Sequence, residues 1–226
     1  MGDLRRNISN WLRRRSSLRA LRRTYYRRYD QISNDTSLDR YPQVFAYASE
    51  LLSGTSSGSP ALLSFGCSTG EECISLRRYF PSAWIDGVDV NKKNIRICKA
   101  RNQDPRVQFF VSEANLLKNR TGYDAVFAMS VLCRWPQTKL IDSSADLYPF
   151  SKFDETVRRL DALVRPNGLL VICNANFRFT DTVTSERYEA LRVPDLTNCG
   201  FVHLFSKENR KLPDQSYPYC IFRKRR

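Results

Sequence analysis

The chain has 226 residues, 42% of them hydrophobic and 12% aromatic, and a formal net charge of +14. That composition suffices for one α/β domain with an extension and excludes a disordered chain, while no apolar run approaches the roughly 18 residues that would span a bilayer. The charge is uneven: residues 1–29 hold ten arginines and one acid, Asp3, the tail Arg223-Lys224-Arg225-Arg226 adds four positive charges, and the stretch between them is within one charge of neutral. Only the two ends therefore argue for an anionic partner.

Residues 1–59 read as an N-terminal extension. Leu4, Ile8, Trp11, Leu12, Leu18, Leu21 and Tyr25 recur at helical spacing between arginines, with Arg15 interrupting the stripe. Such a basic helix fits an anionic membrane surface. It also fits nucleic acid, though less well, a cleaved targeting segment, or a helix packed on the domain with a solvated basic face. Residues 30–43 are polar and turn-like, Val44–Leu52 reads as a helix, and a Gly/Ser-rich linker ends at Pro60.

From residue 60 to 226 strands and helices alternate. The expected strands are Ala61–Phe65, Trp84–Asp89, Val107–Val111, Tyr123–Met129 and Leu169–Asn174, with Phe201–Phe205 and Tyr217–Phe222 as a closing pair. The expected helices are Glu71–Tyr79, Lys92–Arg101 and Phe153–Val164, and Arg165-Pro166-Asn167-Gly168 is a turn. This pattern predicts an α/β fold: a doubly wound, mostly parallel seven-stranded sheet behind a basic helical extension. The seven cysteines are scattered without a C-x-x-C pair, which predicts buried apolar side chains in a reducing compartment and no metal site.

Two segments carry the chemistry. In Phe65-Gly66-Cys67-Ser68-Thr69-Gly70-Glu71-Glu72 an apolar strand runs through a glycine-bearing turn into a helix, so the backbone can approach a ligand closely. In Trp84-Ile85-Asp86-Gly87-Val88-Asp89-Val90-Asn91 a strand ends in an acid 19 residues after Gly70, placed to accept hydrogen bonds from both hydroxyls of a ribose. Capping of the next helix is the alternative role for Asp89, and Asp86 lies too early in the strand. A dinucleotide is disfavoured, because Ser68 breaks the G-x-G-x-x-G order. Glu71 and Glu72 at the helix start would also repel a pyrophosphate but suit a cationic ligand.

These residues resemble the class I S-adenosylmethionine-dependent methyltransferases over roughly residues 60–223, and the first motif is similar to that of the chemotaxis-receptor methyltransferases. Glu113-Ala114 resemble the third motif, Tyr123 through Met129-Ser130 the fourth-strand motif, and Leu163 through Val171 the turn before the fifth strand. The resemblance implies S-adenosyl-L-methionine as cofactor, held by Gly66, Cys67, Ser68, Thr69, Gly70, Glu71, Glu72, Asp89, Val90, Glu113, Ala114, Met129 and Ser130. One position departs from the class: Ser64 stands where most members carry an acid. The resemblance implies that Glu71 or Glu72 takes over the contact with the methionine amino group.

No residue stands out as catalytic. Methyl transfer depends largely on proximity and orientation, and the lone histidine, His203, reads as a structural residue of the sixth strand. The D/N-P-P-Y signature of amino-group methylation is absent. The loops after strands four and five offer Arg134, Tyr148, Asn174, Asn176 and Arg178 as acceptor-pocket candidates, with Trp135, Asp142, Asp146 and Phe150 nearby. The expected activity is methylation of a small molecule, glycan or lipid in the cytoplasm, with residues 1–29 holding the protein at the inner face of a membrane. RNA methylation, protein carboxyl methylation and a non-catalytic binding module are the alternatives.

Overall fold

A computed structural model of the chain describes residues 35–54, 58–112 and 122–226. The basic segment 1–29 and the pair Glu113-Ala114 lie outside the described residues.

Helix α1 (Pro42–Ser53) opens on a proline, whose missing N–H is harmless in a first turn. Val44, Phe45, Ala48 and Leu52 fall on one face and are buried. Strand β1 (Ala61–Phe65), helix α2 (Glu71–Tyr79), strand β2 (Trp84–Asp89), helix α3 (Lys92–Arg101) and strand β3 (Val107–Val111) follow in alternation. Glu71 and Glu72 open α2 and Arg77 and Arg78 close it, each sign at the helix end whose partial charge it complements. Asn91 caps α3 by accepting from the Lys93 N–H at 3.0 Å. Strand β4 (Tyr123–Met129), helix α4 (Phe150–Asp161) and strand β5 (Val164–Cys173) complete the parallel part. Strands β6 (Tyr188–Arg192) and β7 (Tyr219–Lys224) close the sheet.

The order is β3-β2-β1-β4-β5-β7-β6, with β7 antiparallel to both of its neighbours. All seven residues of β4 are buried, as expected for a parallel strand covered on both faces. The chain winds outward in one direction from β1 and in the other from β4. The ends of these two strands therefore border the crevice where open α/β sheets bind ligands. Helix α1 packs into the same core, with the Phe45 ring 5.8 Å from that of Phe127 on β4. All seven cysteines are free and buried.

Two expectations need correction. Residues 201–205 do not form the sixth strand; β6 is Tyr188–Arg192 instead. The Phe201 and Val202 N–H groups both donate to Asn174 Oδ1, at 2.8 and 3.1 Å, and the Leu204 N–H donates to Gln215 Oε1 at 2.7 Å. Those donors serve side chains rather than a ladder, and His203 accordingly sits in a loop. The second correction concerns the turn Arg165–Gly168, which is absorbed into β5. Pairing with β4 jumps from Tyr123–Val164 to Ala125–Leu169, with Asn167 left-handed at φ +61°. Asp124 pairs with Arg165 beside this irregularity and accepts from the Ala61 N–H at 2.7 Å.

One buried carboxylate ties the far side of the sheet together. Asp161, at the end of α4, accepts from Tyr188 Oη at 2.8 Å, pairs with Lys224 Nζ at 3.1 Å and also binds Arg187. The same Lys224 amine donates to the carbonyls of Asp161 and Val164.

Candidate active site

The turn between β1 and α2 is built on left-handed residues. Gly66, Ser68 and Gly70 have φ of +82°, +48° and +100°. A Cβ on Gly66 would lie 2.5 Å from Val131 Cγ2, so only glycine lets the segment after β4 come this close. The Gly66 and Cys67 N–H groups both donate to the Val88 carbonyl, which pins the loop to β2.

Asp89 stands at the end of β2 and is almost fully enclosed. Its carboxylate accepts from the Ser68 N–H at 2.9 Å and the Asn91 N–H at 2.7 Å. It thus braces the glycine loop against the start of α3, whose cap is Asn91 rather than Asp89. Burial raises its carboxyl above the usual range, although these backbone donors pull it down. Oδ1 also accepts from Asn94 Nδ2 at 3.4 Å, and Oδ2 keeps a further lone pair that can receive a ligand hydroxyl. Asp86 is engaged elsewhere, accepting from Tyr123 Oη at 2.6 Å.

Glu72 reaches back from the first turn of α2 to Ser64 on β1, whose hydroxyl donates to Glu72 Oε1 at 2.7 Å. The serine that replaces the expected acid is therefore covered by a carboxylate from a neighbouring element. Burial pushes the Glu72 carboxyl up to about 8; the Ser64 hydroxyl and the Arg40 charge oppose that shift without cancelling it. A carboxyl desolvated in this way gains most from a bound cation. Glu71 faces another way and accepts from Thr69 Oγ1 at 2.7 Å.

Ser130 and Asn174 extend the site past the ends of β4 and β5. Both are left-handed, at φ +57° and +55°, and Asn174 Nδ2 donates to Ser130 Oγ at 2.8 Å. The Ser130 hydroxyl also shares a short hydrogen bond with Tyr41 Oη. Burial, the largest influence, pushes the Tyr41 phenol up to about 12, so at neutral pH it is a neutral donor and not a base. Sequence reading missed Tyr41. Its one visible signal is that it directly precedes the proline that opens α1.

The other acceptor candidates divide. Arg134, Tyr148 and Asn176 are fully buried. The Arg134 guanidinium lies over the Tyr148 ring, and the Arg134 N–H donates to Asn176 Oδ1 at 2.6 Å. These three brace the loop after β4 from behind instead of facing an open site. Arg178 is half-buried over the Tyr217 ring. A small cavity, large enough for about one water molecule, lies between Asn174, Asn198, Gly200, Gln215 and Tyr217. Among the described residues no cluster of histidine, cysteine and carboxylate side chains could hold a metal ion.

Residues 62–168 match the family model described as a methyltransferase domain. That stretch, just under half of the chain, is similar to a methyltransferase domain and lies in an open α/β sheet. No curated protein matches the sequence. Several solved methyltransferases resemble the domain at low identity. A precorrin-6y C5,15-methyltransferase from Geobacter metallireducens is 14% identical over 86% of this chain and 94% of its own, with a TM-score of 0.49. A TehB-like SAM-dependent methyltransferase from Corynebacterium glutamicum is 16% identical over 79% and 87%, with a TM-score of 0.46. The plantazolicin methyltransferase BpumL, solved with SAH, is 15% identical over 59% of this chain, with a TM-score of 0.41. That match spans about half (48%) of the BpumL chain. Among the described residues, no helix is long and apolar enough to cross a membrane.

Proposed function

We propose that the protein transfers the methyl group of S-adenosylmethionine to a small-molecule, glycan or lipid acceptor at the ends of β4 and β5. The observation that carries the cofactor reading is the Glu72–Ser64 pair beside the Gly66–Gly70 turn. A desolvated carboxyl beside a loop whose glycines admit close approach supports this reading, because it ionises most readily against a cation such as the cofactor's ammonium. In this reading Glu72 holds the ammonium, Asp89 receives the ribose hydroxyls, and Val90, Met129 and Ser130 line the walls. The cofactor, when bound, supplies an electrophilic methyl group on a sulfonium. Tyr41, Ser130 and Asn174 offer neutral hydrogen-bonding groups that orient an acceptor heteroatom. Orientation is the main contribution needed for an in-line displacement.

Titration calorimetry with S-adenosylhomocysteine tests the cofactor site. Micromolar binding by the intact protein, lost in Asp89→Ala, supports it; no binding by protein shown to be folded removes it. The charge of residues 1–29 supports a further proposal, that the protein associates with anionic membranes. Co-sedimentation with phosphatidylserine vesicles should fall sharply when these residues are deleted, and unchanged sedimentation would refute it.

A further inference from the structure

The amino-acid end of the cofactor is a zwitterion, and Glu72 answers only its ammonium. A carboxylate brought beside a buried glutamate needs a cation, or it repels the group that holds its own amine. The segment just before α1 carries Arg40. Asp39–Tyr41 is tied across the crevice: the Asp39 N–H donates to Ser75 Oγ at 2.9 Å, Tyr79 Oη donates to Asp39 Oδ1 at 2.8 Å, and Tyr41 is joined to Ser130. The anchors lie on α2 and at the end of β4, on two sides of the glycine turn. Between them, the Arg40 guanidinium lies 5.9 Å from the centroid of the Tyr41 ring and donates to the Asp35 carbonyl at 2.8 Å. Its charge acts on both the Glu72 carboxyl and the Tyr41 phenol.

We propose that Arg40 binds the methionine carboxylate of the cofactor, so that Asp39–Tyr41 forms a third wall of the site, opposite the Gly66–Gly70 turn. The inference rests on the cofactor reading above. Guanidinium suits the task, because its planar fork matches both oxygens of a carboxylate. Glu72 and Arg40 then answer the two opposite charges at the end of the ligand. Tyr41 holds the segment down through Ser130, which joins this wall to the acceptor side of the site.

Two ligands separate this role from a structural one. S-Adenosylhomocysteine carries the amino-acid end; 5′-methylthioadenosine keeps the adenosine and the sulfur but lacks both charges. Calorimetry is run on the full chain as wild type, Arg40→Ala and Arg40→Lys, with thermal melts as the folding control. Arg40→Ala is expected to weaken S-adenosylhomocysteine about ten- to hundredfold, the range for a hydrogen bond to a charged group. Methylthioadenosine affinity should stay within twofold, and Arg40→Lys should recover part of the loss. Unchanged S-adenosylhomocysteine affinity in Arg40→Ala overturns the assignment, as does equal weakening of both ligands, which would mark a purely structural arginine. Failure of the wild type to bind either ligand would remove the cofactor reading itself, and this inference with it.

Discussion

In the proposed site, Glu72 sets folding against binding. A carboxyl raised from an ordinary value of 4.5 to about 8 binds its proton more tightly in the folded protein than in the unfolded chain. Its contribution to stability is therefore complete below pH 4.5 and is lost as the pH rises through about 8. Glu72→Gln removes that dependence. Melting curves from pH 5 to 9 should show the variant gaining on the wild type as pH rises, while its affinity for S-adenosylhomocysteine falls. A variant that follows the wild type at every pH would show that the buried carboxyl carries no proton linkage. The family resemblance pointed to Glu71 or Glu72 because the class's usual acid is missing at Ser64 and these two glutamates open the helix that follows. Arg40 and Tyr41 were not legible. Tyr41 meets Ser130 across 89 positions, and no periodicity or local spacing encodes a contact of that range.

Elements were legible where their pattern is self-contained. Strands β1 to β4 read as apolar runs bounded by turn residues, and the structure has them at the expected bounds. The sixth strand misled because Phe201–Phe205 is as apolar as a strand, yet three of its donors are claimed by the side chains of Asn174 and Gln215. The deciding residue is Gly200. A Cβ there would lie 2.6 Å from both the Cα and the Oδ1 of Asn174. Backbone cannot retreat as a side-chain tip can, so Gly200→Ala should cost about 1–3 kcal/mol by overpacking. Gly58→Ala is the control, since nothing lies within 4 Å of its position. Chemical denaturation of the two variants checks this; equal stabilities would mean that the 198–204 loop repacks freely.

At the scale of the whole molecule, the sequence shows the alternation that dictates a doubly wound sheet but not where the folding unit begins. The Gly/Ser-rich stretch before Pro60 reads as a boundary, yet α1 lies ahead of it and sends Val44, Phe45, Ala48 and Leu52 into the common core. Burying those side chains is worth on the order of 5 kcal/mol or more, comparable to the entire stability of an ordinary domain. A chain beginning at Asp35 should melt cooperatively, whereas one beginning at Pro60 should not. A cooperative melt from the shorter chain would show that α1 is an accessory. The sheet order also has a meaning for synthesis. β7 is inserted between β5 and β6 although it follows both in the chain. As the polypeptide leaves the ribosome, β5 must wait with an unpaired edge, and β6 has no neighbour to join until residues 219–224 have emerged. Unpaired edges recruit foreign strands, so the interval between translating β5 and β7 leaves the growing sheet open to mispairing along β5.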